Sequence, residues 1–127
     1  MIIEQTNREA EVTAQIIDGK AIAQKVRQEV RQEVIALSSQ GIVPGLAVIL
    51  VGDDPASQVY VKNKTRACQE AGIAVFDHHL PAQTSQAELT TLIRQLNHDP
   101  RVSGVLLQLP IPAGLPVGEI LDVLDPL

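Results

Sequence analysis

Apolar residues recur every three or four positions in the first clearly patterned part of the chain, with charged residues between them. The apolar positions are Ile22, Val26, Val30, Val34 and Leu37. This spacing predicts an amphipathic helix that begins near Lys20, and Gly41 is a typical residue to follow its last turn. Residues 1–14 are polar and aperiodic, which predicts a loose tail or an edge segment.

The continuous apolar run Leu46–Val51 predicts a strand that is buried on both faces. A shorter, more mixed run predicts a strand over Ile73–Leu80, and Val102–Leu109 predicts a third, buried strand. Pro110 and Pro112 end the last run abruptly, because proline has no amide hydrogen to donate to a sheet.

Helical segments separate these strands. Asp54 can cap the second helix, with Pro55 in its first turn and Gly72 closing it. The third begins at a capping box over Ser85–Glu88 and stops before Pro100, and a last short helix is predicted over Val117–Leu124. The alternation predicts an α/β fold: a three-layer domain whose small, mainly parallel sheet is flanked by helices, with a βαβαβ core plus an N-terminal helix.

Composition narrows the class of protein. The chain has 127 residues, which suits one domain, and its net charge of −5 argues against a nucleic-acid partner. No apolar run approaches the roughly 20 residues that a membrane span requires. Cys68 is the single cysteine, so an internal disulfide is excluded and a cytoplasmic location is expected.

Candidate chemistry lies at the start of the second helix. Ser57, Tyr60 and Lys64 follow one another at three- and four-residue steps and share one helix face just after a strand. Ligands of open parallel sheets collect beyond the carboxyl ends of the strands. A lysine shielded from water there can act as an acid or base, and a phenol ring can stack on a heterocycle.

Two enzyme classes use this spacing. Tyr-x-x-x-Lys occurs in short-chain dehydrogenases, but these need a glycine-rich dinucleotide turn after the first strand, and the chain contains neither G-x-x-x-G-x-G nor G-x-G-x-x-G.

The second class accounts for more of the chain. Its motifs are IIDGKAIA (Ile16–Ala23), VGDDPASQVYVKNKTRACQEAGI (Val51–Ile73) and GVLLQLPIP (Gly104–Pro112). With these motifs, about Gln15 to Leu127 resembles the amino-terminal catalytic domain of the bifunctional methylenetetrahydrofolate dehydrogenase/methenyltetrahydrofolate cyclohydrolase family, known as FolD in bacteria.

The resemblance implies roles for individual side chains. Lys64 matches the catalytic lysine that assists hydration and opening of the methenyl bridge, and Gln108 matches the glutamine that hydrogen-bonds this lysine and helps keep it neutral. Ser57 matches the serine beside the lysine, and Tyr60 matches the tyrosine whose ring stacks on the folate.

The resemblance also assigns the segment after the last strand. Leu109 and Pro110 match the residues that line the folate site. A cis peptide bond before Pro110 or Pro112 is a hypothesis at this stage.

The family's activity follows as an expectation. Its members oxidise 5,10-methylenetetrahydrofolate to 5,10-methenyltetrahydrofolate with NADP and hydrolyse the product to 10-formyltetrahydrofolate, in one-carbon metabolism and purine biosynthesis. The resemblance implies tetrahydrofolate as the substrate carrier and a homodimer for the full-length protein. The residue pattern itself predicts no metal and no membrane or nucleic-acid partner.

The chain departs from the family at its end. Family members continue into Lys-Asp-Val-Asp-Gly and an NADP-binding Rossmann domain, whereas this sequence stops at Leu127. We therefore expect residues 15–127 to be a catalytic domain truncated before the Rossmann domain, with an incomplete folate site and no cofactor-binding residue of its own. Such a chain is expected to lack dehydrogenase activity and to show at best feeble cyclohydrolase activity.

Other residues support weaker hypotheses. His78, His79 and His98 are expected to be ordinary surface histidines, because neighbours on a strand point to opposite faces. Cys68 is expected to be a small buried hydrophobe, with a thiol activated by Lys64 as the alternative. The rival to an enzyme is a non-catalytic α/β ligand-binding or oligomerisation module.

Overall fold

The computed structural model describes residues 14–126. The predicted tail, apart from its last residue, therefore lies outside the described residues, as does Leu127. In chain order the elements are α1 (Gly19–Ser39), β1 (Gly45–Val51), α2 (Pro55–Glu70), β2 (Ala74–Leu80), α3 (Gln86–Asn97), β3 (Gly104–Leu107) and α4 (Val117–Leu121). Within this part of the chain, no helix has both the length and the apolar character that crossing a membrane requires.

The three strands form one parallel sheet in the order β2–β1–β3. In the register, Val51 lies opposite Leu80, and Ile49 lies opposite Leu107. The carboxyl ends of all three strands therefore meet at one edge of the sheet. The predicted α/β fold with a small parallel sheet, flanking helices and an N-terminal helix is confirmed.

The main core lies on one face of the sheet. Alternate residues of the central strand point into it and meet α3, α4 and β3, and its buried members are Ala47, Ile49, Val51, Leu89, Ile93, Leu96, Leu107 and Ile120. Val48 and Leu50 point to the opposite face, which α2 covers, and they are also buried. Because both faces are covered, β1 reads as an uninterrupted apolar run.

Helix α1 packs on the body chiefly through its second half. Val34 is its one buried residue among those described, and a Cβ atom at Gly72 would lie 3.1 Å from a Val34 methyl group. Ile22 and Val26, nearer the start, are 54% and 50% exposed. The amphipathic pattern thus predicted the helix correctly, although the described residues cover only part of its apolar stripe.

Two elements are shorter than predicted. Strand β3 spans four residues instead of Val102–Leu109, although the Gln108 amide still donates to the Ile49 carbonyl at 2.9 Å. The proline at position 110 then has no amide hydrogen to continue the ladder. Helix α4 ends at Leu121 rather than Leu124, because the amides of Val123 and Leu124 donate to carbonyls three residues back and form turns.

The start of β1 depends on the absence of a side chain at Gly45. A Cβ atom there would overlap the Arg101 carbonyl oxygen and lie 3.0 Å from the Phe76 ring, whereas at Gly104 it would meet only Leu46 at 3.7 Å. We expect Gly45→Ala to lower the free energy of unfolding by about 2 kcal/mol, because the backbone has to move apart. Urea unfolding measures the difference, with Gly104→Ala as the matched control that changes little. Equal unfolding midpoints for the two variants would contradict this packing.

Candidate active site

The candidate site begins at the turn that joins β1 to α2. Gly52 has a φ of 91°, a conformation that favours glycine, and its amide donates to the Leu80 carbonyl at 2.9 Å. The Asp54 carboxylate then caps α2 by accepting from the Ser57 amide at 2.9 Å, and Pro55 occupies the first turn. The turn thus starts α2 at the carboxyl edge of the sheet, as the sequence predicted.

A hydrogen bond connects α2 with the end of β3. The Lys64 Nζ atom donates to the Gln108 Oε1 atom at 2.6 Å, although the residues are 44 positions apart in the chain. None of the described ion pairs involves Lys64. The fold therefore brings together the two residues for which the strongest roles were expected.

Gln108 is held in one orientation. It is buried, its Nε2 atom donates to the Leu109 carbonyl at 2.9 Å, and its backbone amide is bonded to β1. Because the amide nitrogen is already committed to an acceptor, the amide oxygen is the end that faces the lysine. Gln108 thus presents a fixed acceptor to the amine.

Tyr60 and Lys64 lie on the open side of α2. Tyr60 is 55% exposed, and its ring is accessible for stacking against a planar ligand. Lys64 is an exposed residue too. The shielding from water that the sequence suggested for this amine is therefore not supplied by the described residues alone, and a bound ligand would have to add it.

Ser57 lies deeper than the other two. It is 1% exposed, and its Oγ atom has no hydrogen-bond partner among the described residues. It shares the helix face of Tyr60 and Lys64, but no hydrogen bond joins it to the lysine. Its role beside the amine stays a prediction.

The segment after β3 forms the neighbouring wall of the site. The peptide bond between Leu109 and Pro110 is cis, and both residues are exposed. The Leu109 carbonyl oxygen accepts a hydrogen bond from the Gln108 side-chain amide. The segment predicted to line the site therefore lies next to the Lys64–Gln108 pair.

His79 has more contacts than the sequence suggested. Its Nε2 atom lies 2.8 Å from the Gly52 carbonyl oxygen, to which it donates, and 3.5 Å from an Asp53 carboxylate oxygen. It therefore ties the end of β2 to the turn before α2. The contact follows from the parallel register, which pairs His79 with Leu50 and so places it beside the turn; no local sequence signal indicated it.

No metal centre emerges from the described residues. Among them, no group of three or more His, Cys, Asp and Glu side chains is arranged to hold an ion. His98 bonds to the Arg94 carbonyl of its own helix at 2.7 Å. Burial raises the pKa of the Cys68 thiol, which disfavours the reactive thiolate.

A separate groove of about 520 Å³ lies on the other side of α2, between Val61 and Asp77 on β2. It contains neither Lys64 nor Gln108. We therefore locate the candidate active site by its hydrogen-bonded side chains rather than by the size of a cavity.

Comparison with known proteins identifies relatives of this chain. Residues 17–127 match the family described as "Tetrahydrofolate dehydrogenase/cyclohydrolase, catalytic domain". The chain is 59% identical over 111 residues to the bifunctional protein FolD of Moorella thermoacetica and 58% identical over 114 residues to that of Magnetococcus marinus. These alignments cover 87% and 89% of the chain and 40% of each relative, so the chain spans about two fifths of their length.

Solved structures give the same result. The FolD methylenetetrahydrofolate dehydrogenase/cyclohydrolase of Campylobacter jejuni superposes with a TM-score of 0.84 at 47% identity, over 85% of this chain and 38% of that one. The Trypanosoma brucei enzyme, solved with NADP cofactor and inhibitor, gives a TM-score of 0.84 at 32% identity, over 89% and 39%. With a family match over nearly all of its described residues, the chain belongs to the tetrahydrofolate dehydrogenase/cyclohydrolase family and corresponds to its catalytic domain.

Proposed function

We propose that this chain is the folate-binding catalytic domain of an enzyme that oxidises 5,10-methylenetetrahydrofolate with NADP and hydrolyses 5,10-methenyltetrahydrofolate to 10-formyltetrahydrofolate. The observation that carries the proposal is the 2.6 Å hydrogen bond between Lys64 and Gln108 beside the exposed Tyr60 ring. Family membership supports the substrate class, and this geometry supports the roles proposed for Lys64 as a base and for Tyr60 as a stacking surface.

Lys64 is the proposed base for hydrolysis. The methenyl bridge is an amidinium-like cation, so water that adds to its carbon has to lose a proton, and a neutral amine can accept it. A cationic substrate beside the amine disfavours an ammonium there by repulsion between like charges. Gln108 fixes the position of the amine without adding a charge.

Tyr60, Leu109 and Pro110 are the proposed substrate-binding residues. The ring of Tyr60 offers a flat apolar face, and stacked aromatic pairs contribute about 0.5–1.5 kcal/mol beyond their buried area. The Leu109–Pro110 segment closes the side of the site next to Gln108. Ser57 is proposed to assist from beneath the same helix face, where its buried hydroxyl has no partner among the described residues.

The described residues do not fit NADP. A dinucleotide pyrophosphate binds the free amides at a helix N-terminus after a glycine-rich turn. At the start of α2 the Asp54 carboxylate already accepts from the Ser57 amide, and Asp53 adds a second negative charge. We therefore propose that NADP is bound by the second, Rossmann-type domain that the family carries. We also propose that the complete enzyme is a cytoplasmic homodimer.

The roles of the lysine can be tested in a chimera in which residues 17–127 replace the matching part of the Moorella thermoacetica relative. We expect Lys64→Met to reduce methenyltetrahydrofolate hydrolysis by about 10²–10⁴-fold, because the base is lost while the packing of the stem is kept. Lys62→Met on the other side of α2 is the matched control and should retain full activity. The hydrolysis rate is followed by the loss of methenyl absorbance.

Retention of hydrolysis by the folded Lys64→Met chimera would contradict a base at this position. Absence of hydrolysis in the folded, unaltered chimera would favour the alternative, a non-catalytic ligand-binding or oligomerisation module.

Replacing the neutral acceptor by a charged one tests the second partner. In the same chimera, Gln108→Glu puts a carboxylate where Oε1 lies 2.6 Å from the amine, and the resulting ion pair stabilises the ammonium. We expect the pH at which hydrolysis reaches half of its maximum to rise by about one unit or more. A pH–rate profile measures this, with Gln86→Glu on α3 as the control for added charge. An unchanged profile would show that Gln108 does not act on the base.

A further inference from the structure

The turn between β1 and α2 is bonded to β2 through both backbone polar groups of one residue. The Gly52 amide donates to the Leu80 carbonyl at 2.9 Å, and the Gly52 carbonyl accepts from the Nε2 atom of His79 at 2.8 Å. The first is a bond between backbones, whereas the second depends on a side chain that has no role in the chemistry proposed above. The position of the turn therefore depends in part on one imidazole.

His79 replaces a backbone donor that β2 does not offer. If the parallel ladder continued, the Gly52 carbonyl would accept from an amide two residues beyond Leu80, but β2 ends at Leu80 and Pro81 follows. Among the described residues, no backbone amide donates to this carbonyl. Gly52 is buried, and a buried carbonyl without a partner is costly. The imidazole thus satisfies a group that the sheet leaves open.

The surroundings of the imidazole keep a hydrogen atom on the nitrogen that makes this bond. The Nε2 atom faces the Gly52 carbonyl, and an Asp53 carboxylate oxygen lies 3.5 Å from it. Both neighbours are acceptors, so the tautomer with its hydrogen on Nε2 is the one that fits. His79 can therefore donate to the turn whether its ring is neutral or protonated.

The same turn adjoins the segment that follows β3. A Cβ atom at Gly52 would lie 3.6 Å from the Pro112 side chain and 3.8 Å from that of Ala82, which are ordinary contact distances. The turn is thus packed between the loops that follow the other two strands. A displacement of the turn would disturb these loops as well as the start of α2.

One continuous helix connects the turn with the proposed base. The Asp54 carboxylate caps α2 at the Ser57 amide, and Lys64 lies ten residues after Asp54, about 15 Å along the helix axis. Over this distance, a tilt of about 4° at the turn moves the far end by about 1 Å. The bond from Lys64 to Gln108, at 2.6 Å, leaves little room for such a shift, because Gln108 is itself held in place.

We propose that His79 is a positioning residue for the candidate active site: its bond to the Gly52 carbonyl fixes the start of α2 and so places the Lys64 amine against Gln108. The inference rests on the proposed function, since it takes Lys64 as the base for hydrolysis. The flexible stem of the lysine absorbs part of a displacement, so loss of the bond weakens catalysis without abolishing it.

The first test uses the chimera with the Moorella thermoacetica relative. We expect His79→Leu to lower kcat for methenyltetrahydrofolate hydrolysis about five- to tenfold, because the donor is lost while a side chain of similar size remains. His79→Gln keeps a donor at about the same reach and should restore most of the rate.

The matched control makes the same change one residue earlier. His78 points to the opposite face of β2 and has no hydrogen bond among the described residues, so His78→Leu should keep the full rate. A full rate for His79→Leu, or the same loss for His78→Leu, would overturn the proposal.

A double variant shows whether His79 acts through the lysine. In the Lys64→Met chimera, adding His79→Leu should leave the residual rate unchanged, because the base is already gone and residues that act as one unit are not additive. A purely structural role would instead lower the rate by the same factor with and without Lys64, and that result would also overturn the proposal.

An independent readout separates this inference from the proposed function. In the 127-residue chain, the side-chain amide resonances of Gln108 report its bond to the amine, and Lys64→Met gives their position when the bond is lost. We expect His79→Leu to move these resonances toward that position. His79→Gln and His78→Leu should leave them in place.

The two possible failures then give different results. If the resonances move as expected but the unaltered chimera hydrolyses no methenyltetrahydrofolate, the proposed function fails and the positioning role stands. If hydrolysis depends on Lys64 while His79→Leu changes neither the resonances nor the rate, the positioning role is wrong and the proposed function stands.

Discussion

The hydrogen bond from Lys64 to Gln108 is the interaction on which the proposed chemistry depends. It joins a helix that begins after the first strand to a residue just beyond the third strand, so it forms only if these two strands end at the same edge of the sheet. A lysine on an isolated helix would be one more solvated cation. Held against a neutral acceptor, its nitrogen has a defined position, one helical turn beyond Tyr60 on the same face of α2.

The parallel sheet provides that position. β1 lies between its two neighbours, and its buried residues fix the register in which the ends of β2 and β3 lie beside its own end. Asp54 and His79 then hold the turn from which α2 departs. Rigid strands and a capped helix thus position the side chains, and the exposed Tyr60 and Lys64 are available to a ligand.

Most of the helices and strands could be predicted from the sequence, because helix caps and apolar runs are local signals. The capping box at Ser85 and the cap at Asp54 are both present, and the run from Leu46 to Val51 is the central strand. The contacts of His79 could not be predicted, since they depend on which strands become neighbours. The exposure of Ile22 and Val26 was also beyond the pattern, because an apolar stripe does not state how much of it neighbouring elements cover.

A crystal structure of the chain with a bound 5,10-bridged folate analogue tests the central claim most directly. The account predicts the one-carbon bridge within reach of the Lys64 amine, about 3 Å directly or through one water, with the Gln108 contact kept and the ligand stacked on Tyr60. An analogue bound instead between Val61 and Asp77 on the opposite side of α2, with Lys64 turned into solvent, would contradict it.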